Sequence, residues 1–388
     1  MAVRVGLDAR ALTSDVKSGV EYYVTNLVLA LCRLDNAPEM VAYVDRSIED
    51  PEVAAALSSG PVATRVIRSR RGWLRAALPW RLWRDKVDLV HLPSTIVPPI
   101  LPCPAVVTVH DLAWMRHPET YGRDDLRMQG LAILSAFRAA HIITVSENTA
   151  RDLRGPLRLP DRKQLTAPAG LAERITAIPL GVSPRFSPQG PPLTPSAFSG
   201  AERLAGGYVL YTGNLQPRKN LLRLLAAYAK LCSQERVPPL VLAGALSPHA
   251  RELRAAAGKL GIERHVLFPG YIPDRQLPAL YRSATVFVYP SLYEGFGLQV
   301  LEAMASGVPV VTSDISAMPE VAGDAAILVD PESVDRLAWA ISLLLTDPEL
   351  RATTIRRGLA RSREFTWEET ARRTAAVYRL VAERKLRQ

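Results

Sequence analysis

The sequence predicts an α/β protein built as two doubly wound halves. Three observations carry this. Short apolar runs alternate with helical patterns from residue 3 to residue 153, and the alternation restarts at Tyr208. Between the two series lies a stretch at 183–207 rich in Pro, Gly and Ser with little periodicity. A chain of 388 residues also exceeds what one ordinary hydrophobic core serves.

In order along the chain, Val3-Arg4-Val5-Gly6-Leu7-Asp8 reads as a first strand rather than a signal peptide. A loop at 9–18 leads into a helix over 19–34. Strands follow at 41–44, 63–67, 87–91, 105–110 and 142–145, with helices near 124–139 and 148–153, the second N-capped by Ser146. Such alternation implies a parallel sheet with ligands at the carboxyl ends of its strands. The second series runs strand 208–212, helix 221–233, strand 240–243, helix 248–260, strand 266–268 and helix 274–283. A β-branched and aromatic strand at 286–289 ends at Pro290, and a strand at 326–329 precedes helices to the end. The expected domains are 1–182 and 208–365, joined by a linker at 183–207, with a final helical segment at 366–388.

Composition narrows the classes. Hydrophobic content of 48% is ordinary for a globular protein, and no run is long enough to span a bilayer. Cys32, Cys103 and Cys232 are odd in number and far apart, which argues against a disulfide framework or zinc cluster and for a reducing, cytoplasmic setting. The net charge of +10 favours anionic partners without choosing among nucleotide, nucleic acid and membrane. No aromatic–basic RNA motif is present, so no nucleic-acid partner is expected. His and Cys show no ligand spacing and no Asp-x-Asp ends a strand, so no metal is expected. The absence of a Gly-x-x-x-x-Gly-Lys-Ser/Thr sequence disfavours a phosphate-loop ATPase.

The most informative stretch is Ser291-Leu292-Tyr293-Glu294-Gly295-Phe296-Gly297-Leu298, continuing to Glu302 and Gly307. Gly295, Phe296 and Gly297 let backbone amides crowd at the positive end of a helix that starts at Leu298, a setting that suits phosphate or sugar oxygens. Glu294 at the mouth of this turn can accept hydrogen bonds from sugar hydroxyls, and Glu302 can hold a vicinal diol such as a ribose. The plainer reading of both acids is a solvated helix end. A second cluster, Gly213-Asn214-Leu215-Gln216-Pro217-Arg218-Lys219-Asn220, joins the first strand of the second half to a helix. Arg218 and Lys219 can neutralise a diphosphate and stabilise it as it departs. Surface charge is the weaker account, since cations are disfavoured at a positive helix end. Lys219 is expected to be exposed.

The stretch from Tyr289 to Thr312, with Glu294-x7-Glu302 at its centre, resembles retaining, nucleotide-sugar-dependent glycosyltransferases of family 4, among them bacterial mannosyl- and glucosyltransferases. That resemblance implies the GT-B fold: two Rossmann-like domains facing a cleft, with the segment 366–388 crossing back onto the first. It also implies hexose transfer, mannose or glucose, from a GDP- or UDP-sugar to a hydroxyl acceptor on a glycan or lipid-linked chain, with no cofactor. Site roles follow from the same resemblance. Arg218 and Lys219 grip the pyrophosphate, with Arg218 substituting where some members carry Arg in place of Asn214. Gly19, after Lys17-Ser18, approaches the donor, and Ile272 lies in the loop whose backbone reads the base. His110, at a strand end beside Asp111, touches the sugar or its phosphate, and Ser146 matches a segment at the cleft. A GT-B phosphorylase or epimerase, or a non-catalytic sugar-nucleotide binder, would share these features.

One further segment stands out. Between Arg65 and Lys86 lie eight cations, one acid (Asp85) and three of the six tryptophans. Trp73, Leu74, Leu78, Trp80, Leu82 and Trp83 can form an apolar surface framed by Arg70, Arg71, Arg75, Arg81 and Arg84. Pro79 forbids one uninterrupted helix but can begin a second. Tryptophan with arginine suits an anionic membrane surface, or the acceptor. Inward-packed tryptophans under a solvated arginine face are the alternative.

Overall fold

The structure is a computed structural model describing residues 3–14, 19–69, 72–156, 168–234, 237–245 and 247–386. The chain forms two compact units: Met1–Gly181 with Thr366–Gln388, and Val182–Phe365.

The first unit holds a parallel sheet of β1 (Arg4–Asp8), β2 (Glu39–Val44), β3 (Val62–Val66), β4 (Leu89–Leu92), β5 (Ala105–Val109), β6 (His141–Thr144) and β7 (Ile175–Ala177), in the order β3-β2-β1-β4-β5-β6-β7. Leu7 sits between Ala42 of β2 and His91 of β4. β4, β5 and β6 are buried along their whole length. Burial on both faces is why they read as continuous apolar runs rather than alternating ones. Strand order reverses between β1 and β4, which places a crevice outside their carboxyl ends.

The helix Trp367–Leu386 packs in this unit against the helix Gly19–Arg33 and strands β4 and β6. A buried polar chain ties it down. The Tyr378 hydroxyl lies 2.7 Å from His91 Nδ1, whose Nε2 is 2.8 Å from the Thr108 hydroxyl, itself 3.1 Å from that of Tyr23. Burial, and then the neighbouring His110, lowers the His91 pKa to about 3, so its ring is neutral.

The cationic segment folds as a π-helical turn, Trp73–Ala77, running into the helix Leu78–Arg84. Pro79 occupies the first turn of the second piece, where its missing N–H costs nothing.

The second unit holds β8 (Val209–Thr212), β9 (Leu240–Ala243), β10 (Val266–Gly270), β11 (Val286–Tyr289), β12 (Val310–Ser313) and β13 (Ile327–Val329), parallel, in the order β10-β9-β8-β11-β12-β13. Its switch point lies between β8 and β11. The stretch 183–207 is not a free linker but part of this unit. Phe186, Ala201 and Leu204 are buried, Phe186 meets Tyr281 edge-on at 5.6 Å, and Leu193 N donates to Ser283 Oγ at 2.9 Å. Widely spaced apolar residues anchor a backbone that has no helical or strand period of its own.

Candidate functional site

In the second unit, the sequence clusters at 213–220 and 291–302 meet at the carboxyl ends of β8 and β11. After Thr212 the chain turns through Gly213, makes a short 3-10 turn over Pro217–Lys219, and enters the helix Leu221–Gln234. Asn220, with a positive φ of 62°, locks that turn. Its amide donates to Pro290 O at 3.1 Å and Pro331 O at 2.6 Å. Arg218 and Lys219 are thereby aimed at the loop after β11.

Glu294 is the centre of the cluster. Arg218 Nη1 donates to Glu294 Oε2 at 3.1 Å and to Tyr293 O at 2.9 Å. Lys219 Nζ donates to Glu294 Oε1 and, at 2.8 Å, to the Tyr289 hydroxyl. The Tyr289 hydroxyl passes the chain on to Gln299 Oε1 at 3.2 Å. Lys219 is only 5% exposed, which corrects the expectation that it lies on the surface. The reason is pairing: a buried ammonium persists where a carboxylate and a phenol oxygen replace its water. Burial alone would raise the Glu294 pKa, but the Lys219 and Arg218 charges outweigh that and hold it at about 2. Glu294 is thus a carboxylate at neutral pH, an acceptor and not a proton donor. Its backbone is held by Ser316, whose Oγ receives Glu294 N at 2.9 Å and donates to Glu294 O at 2.7 Å.

Gly295, Phe296 and Gly297 are buried and form the turn that starts the helix Leu298–Ala305. Gly297 has φ 122°, and a Cβ there would sit 2.5 Å from the Met318 methyl, so only glycine fits. Among the described residues no side chain caps this helix. Phe296 packs edge-on against Phe365 at 5.9 Å. On the same helix, Glu302 accepts from the Tyr281 hydroxyl at 2.8 Å, and the Thr212 hydroxyl lies 2.5 Å from that phenol oxygen. Burial pushes the Glu302 pKa up to about 7, against the Tyr281 hydrogen bond that lowers it. Asn214 is exposed, and its carbonyl accepts from the Tyr211 hydroxyl at 3.0 Å. Ile272 is buried just beyond β10, next to an exposed Tyr271.

In the first unit, His110 follows β5. Its Nε2 lies 2.9 Å from Pro93 O, so that nitrogen carries the proton, and the ring meets Tyr23 edge-on at 5.0 Å. Burial lowers its pKa, leaving a neutral ring whose Nδ1 is an acceptor. Asp111 Oδ1 accepts from Ala113 N at 3.1 Å. Ser146 Oγ caps its helix through Thr149 N at 3.0 Å. Gly19 begins the helix Gly19–Arg33 with no atom of a described residue within 4 Å of where a Cβ would stand. Lys17 and Ser18 lie outside the described residues.

The tryptophan segment is divided by the fold. Trp73 is buried under the Arg10 guanidinium, 4.8 Å from its ring, and Leu78 and Leu82 are core residues. That removes them from the expected apolar surface, because the helix Leu78–Arg84 turns one face to the sheet. Trp80 and Trp83 remain 54% and 68% exposed. Arg75 is exposed, Arg84 lies over Trp80 at 5.4 Å, and Arg81 pairs with Asp85 at 3.1 Å. Arg70 and Arg71 lie outside the described residues.

Sequence reasoning missed Tyr281, Tyr289, Asn220 and Ser316, the groups that hold the acids and cations in place. Tyr289 carried a readable signal as the last residue of a strand at the switch point. Among the described residues no group of three or more His, Cys, Asp or Glu is placed to hold a metal ion.

Comparison with known proteins agrees with this layout. Residues 197–361 match the family model described as glycosyl transferases group 1, and residues 17–186 that of glycosyltransferase family 4. The chain is 34% identical over 304 residues to the O-antigen chain mannosyltransferase B of Escherichia coli, covering 78% of this chain and 77% of that protein. It is 27% identical over 375 residues to the Escherichia coli serotype-specific mannosyltransferase WbdA, covering 92% of this chain but only 45% of that longer protein. Among solved structures, Anabaena Alr3699/HepE, in complex with UDP and glucose, superposes with a TM-score of 0.69 at 20% identity, covering 97% of this chain and 99% of that one.

Proposed function

The chain belongs to glycosyltransferase family 4 and has the GT-B fold, and from that premise we propose that it transfers a hexose, mannose or glucose, from a GDP- or UDP-sugar to a hydroxyl of a glycan or lipid-linked acceptor, with retention at the anomeric carbon. The observation that supports this most is the Arg218–Glu294–Lys219 cluster at the β8/β11 switch point. In this reading the second unit binds the donor. The diphosphate gains negative charge as the glycosidic bond to it breaks, and Arg218 and Lys219, already fixed, meet that charge without reorganising. Glu294, ionised, accepts from the sugar hydroxyls beside the amides of Gly295, Phe296, Gly297 and Leu298. Glu302 takes the ribose diol, and Ile272 lies beside the base. His110 contributes its bare Nδ1 to a sugar hydroxyl, and Gly19 admits the donor phosphate near its helix start. The mannosyltransferase names of the relatives favour mannose, and the nucleotide bound in the Anabaena protein favours a uridine donor; the proposal covers both bases.

The test is a panel of nucleotide sugars scored for nucleoside-diphosphate release, followed by mass spectrometry of the product. Release with one donor and an acceptor longer by one hexose is the expected result. Turnover that requires inorganic phosphate, or donor binding with no turnover on any acceptor, would overturn it in favour of a phosphorylase or a binding protein.

A further inference from the structure

The first unit has a second concave feature, at the edge of its sheet opposite His110. It is a groove of about 630 Å³, walled by Pro104 and Ala105 at the start of β5, Ala140 before β6, Arg174 before β7, and the last turns of the helix Trp367–Leu386. Its position at the amino ends of parallel strands puts it about 16 Å along β5 from His110, at 3.3 Å per residue.

Its lining pairs two chemistries. Arg138, Arg174, Arg384 and Lys385 face it, and among the described residues no acidic side chain lines it. Two of the cations are braced. Arg138 donates to Pro99 O, and Arg174 Nη1 donates to Ala139 O at 2.7 Å and Phe137 O at 3.2 Å. A guanidinium has five donors, so these bonds orient the group and leave others over. Lys385 reaches Asp88 O at 3.3 Å, while Arg384 makes no hydrogen bond or ion pair to a described residue. A favourable helix C-terminus accounts for a cation at 384 or 385, but not for four converging on one groove. Beside them, His141, the first residue of β6, is 1% exposed with Nδ1 lacking a partner among the described residues. Burial, and then the Arg384 and Arg174 charges, lower its pKa to about 4. The other half of the lining is apolar: Val97, Leu101, Val381, and Ile100, 78% exposed at the rim.

We propose that this groove binds the phosphate headgroup of an anionic lipid, with the acyl region against Ile100 and Leu101, and so seats the first unit on a membrane surface. A free phosphate ion would use the cations but not the apolar rim, so the lipid is the source that fits both. Four cations lining one groove repel one another, and a phosphodiester relieves that repulsion. No helix of the described residues is long and apolar enough to cross a membrane, so contact of this kind would be peripheral.

The test is co-sedimentation of the full chain, without donor, with vesicles of phosphatidylcholine alone or with phosphatidylglycerol added. Binding should require phosphatidylglycerol and weaken with salt. The double variant Arg384→Gln, Lys385→Gln should bind about thirtyfold more weakly, from two cations near such a surface. Ile100→Ser should weaken binding too, which simple charge adhesion would not do. All three positions are exposed, so melting temperature should not move. Full competition by millimolar inorganic phosphate, equal binding to phosphatidylcholine, or no vesicle binding at all would overturn the proposal. So would binding that survives in the double variant but is lost in Trp83→Ser, which would move the contact to the helix Leu78–Arg84. None of these readouts uses the donor site, so the outcome is separate from that of the glycosyl-transfer assay.

Discussion

At the scale of single residues, Lys219, Glu294 and Glu302 differ in what their burial means. Removing Lys219 takes one of the two cations from the buried Glu294 and leaves it with Arg218, so Lys219→Ala should lower both turnover and stability. Turnover should fall about a hundredfold or more, as for other lost electrostatic donors. Stability should fall by about 3 kcal/mol, as for a broken buried pair. Urea unfolding beside nucleoside-diphosphate release checks both, and a folded variant with normal turnover would remove Lys219 from the mechanism. The acids should divide: Glu302→Ala should chiefly weaken nucleoside-diphosphate binding by calorimetry, and Glu294→Ala should chiefly lower turnover. Glu302 adds a pH signature. Its folded pKa of about 7 lies above the ordinary carboxyl value, so the folded state holds the proton more tightly. The stability this contributes is full below about pH 4.5 and is lost as pH rises through 7, amounting to ~3 kcal/mol over the window. Glu302→Gln should flatten denaturation midpoints between pH 4.5 and 7. An unchanged slope would mean that Glu302 titrates normally.

At the scale of elements, legibility followed burial. Val286–Tyr289 and Ala105–Val109 were readable because strands buried on both faces are unbroken apolar runs. Ile175–Ala177, three residues long, was not, since so short a strand has no period. The helix Pro51–Ser59 lies outside the expected elements although Asp50 accepts from the Glu52 and Val53 amides at 3.1 and 3.2 Å, a capping signal present in the sequence. The two halves of the candidate site were legible as motifs, but their union was not. Lys219 and Glu294 are 75 positions apart, and only the adjacency of β8 and β11 makes them partners. The turn that carries Glu294 depends on Gly297. Gly297→Ala combines strain at φ 122° with a Cβ 2.5 Å from Met318. It should cost about 1–3 kcal/mol and displace the amides before Leu298, lowering turnover more than Ala at the exposed helical Gly258, where a Cβ would meet no described residue within 4 Å. Thermal melts of both variants alongside kinetics test this, and equal behaviour of the two would deny the turn its role.

At the scale of the whole molecule, the chain leaves the first unit after Gly181 and returns at Thr366, so the second unit is one continuous insertion and the first is not. The ends of the insertion are adjacent: Val182 N donates to Phe365 O at 3.0 Å. A continuous unit with neighbouring ends and its own sheet has what independent folding requires. The first unit lacks that when cut at 181, because the helix Trp367–Leu386 supplies Ala371, Ala375, Tyr378 and Val381 to its core. Without Tyr378, the buried His91 Nδ1 also loses its partner, a loss of about 1–3 kcal/mol on its own. A fragment of residues 182–365 should therefore melt cooperatively. If the donor reading is right, it should also bind nucleoside diphosphate with little loss, because Arg218, Lys219, Glu294 and Glu302 all lie within it. It should show no transfer, since His110 and Gly19 are absent. A fragment of residues 1–181 should fail to fold, and adding the peptide 366–388 in trans should partly restore its circular dichroism. A folded 182–365 fragment with no affinity for any nucleoside diphosphate would place donor recognition outside the Arg218–Glu294–Lys219 cluster. Since the same fragment lacks the groove around Arg384, the lipid and donor readings stand or fall on different halves of the chain.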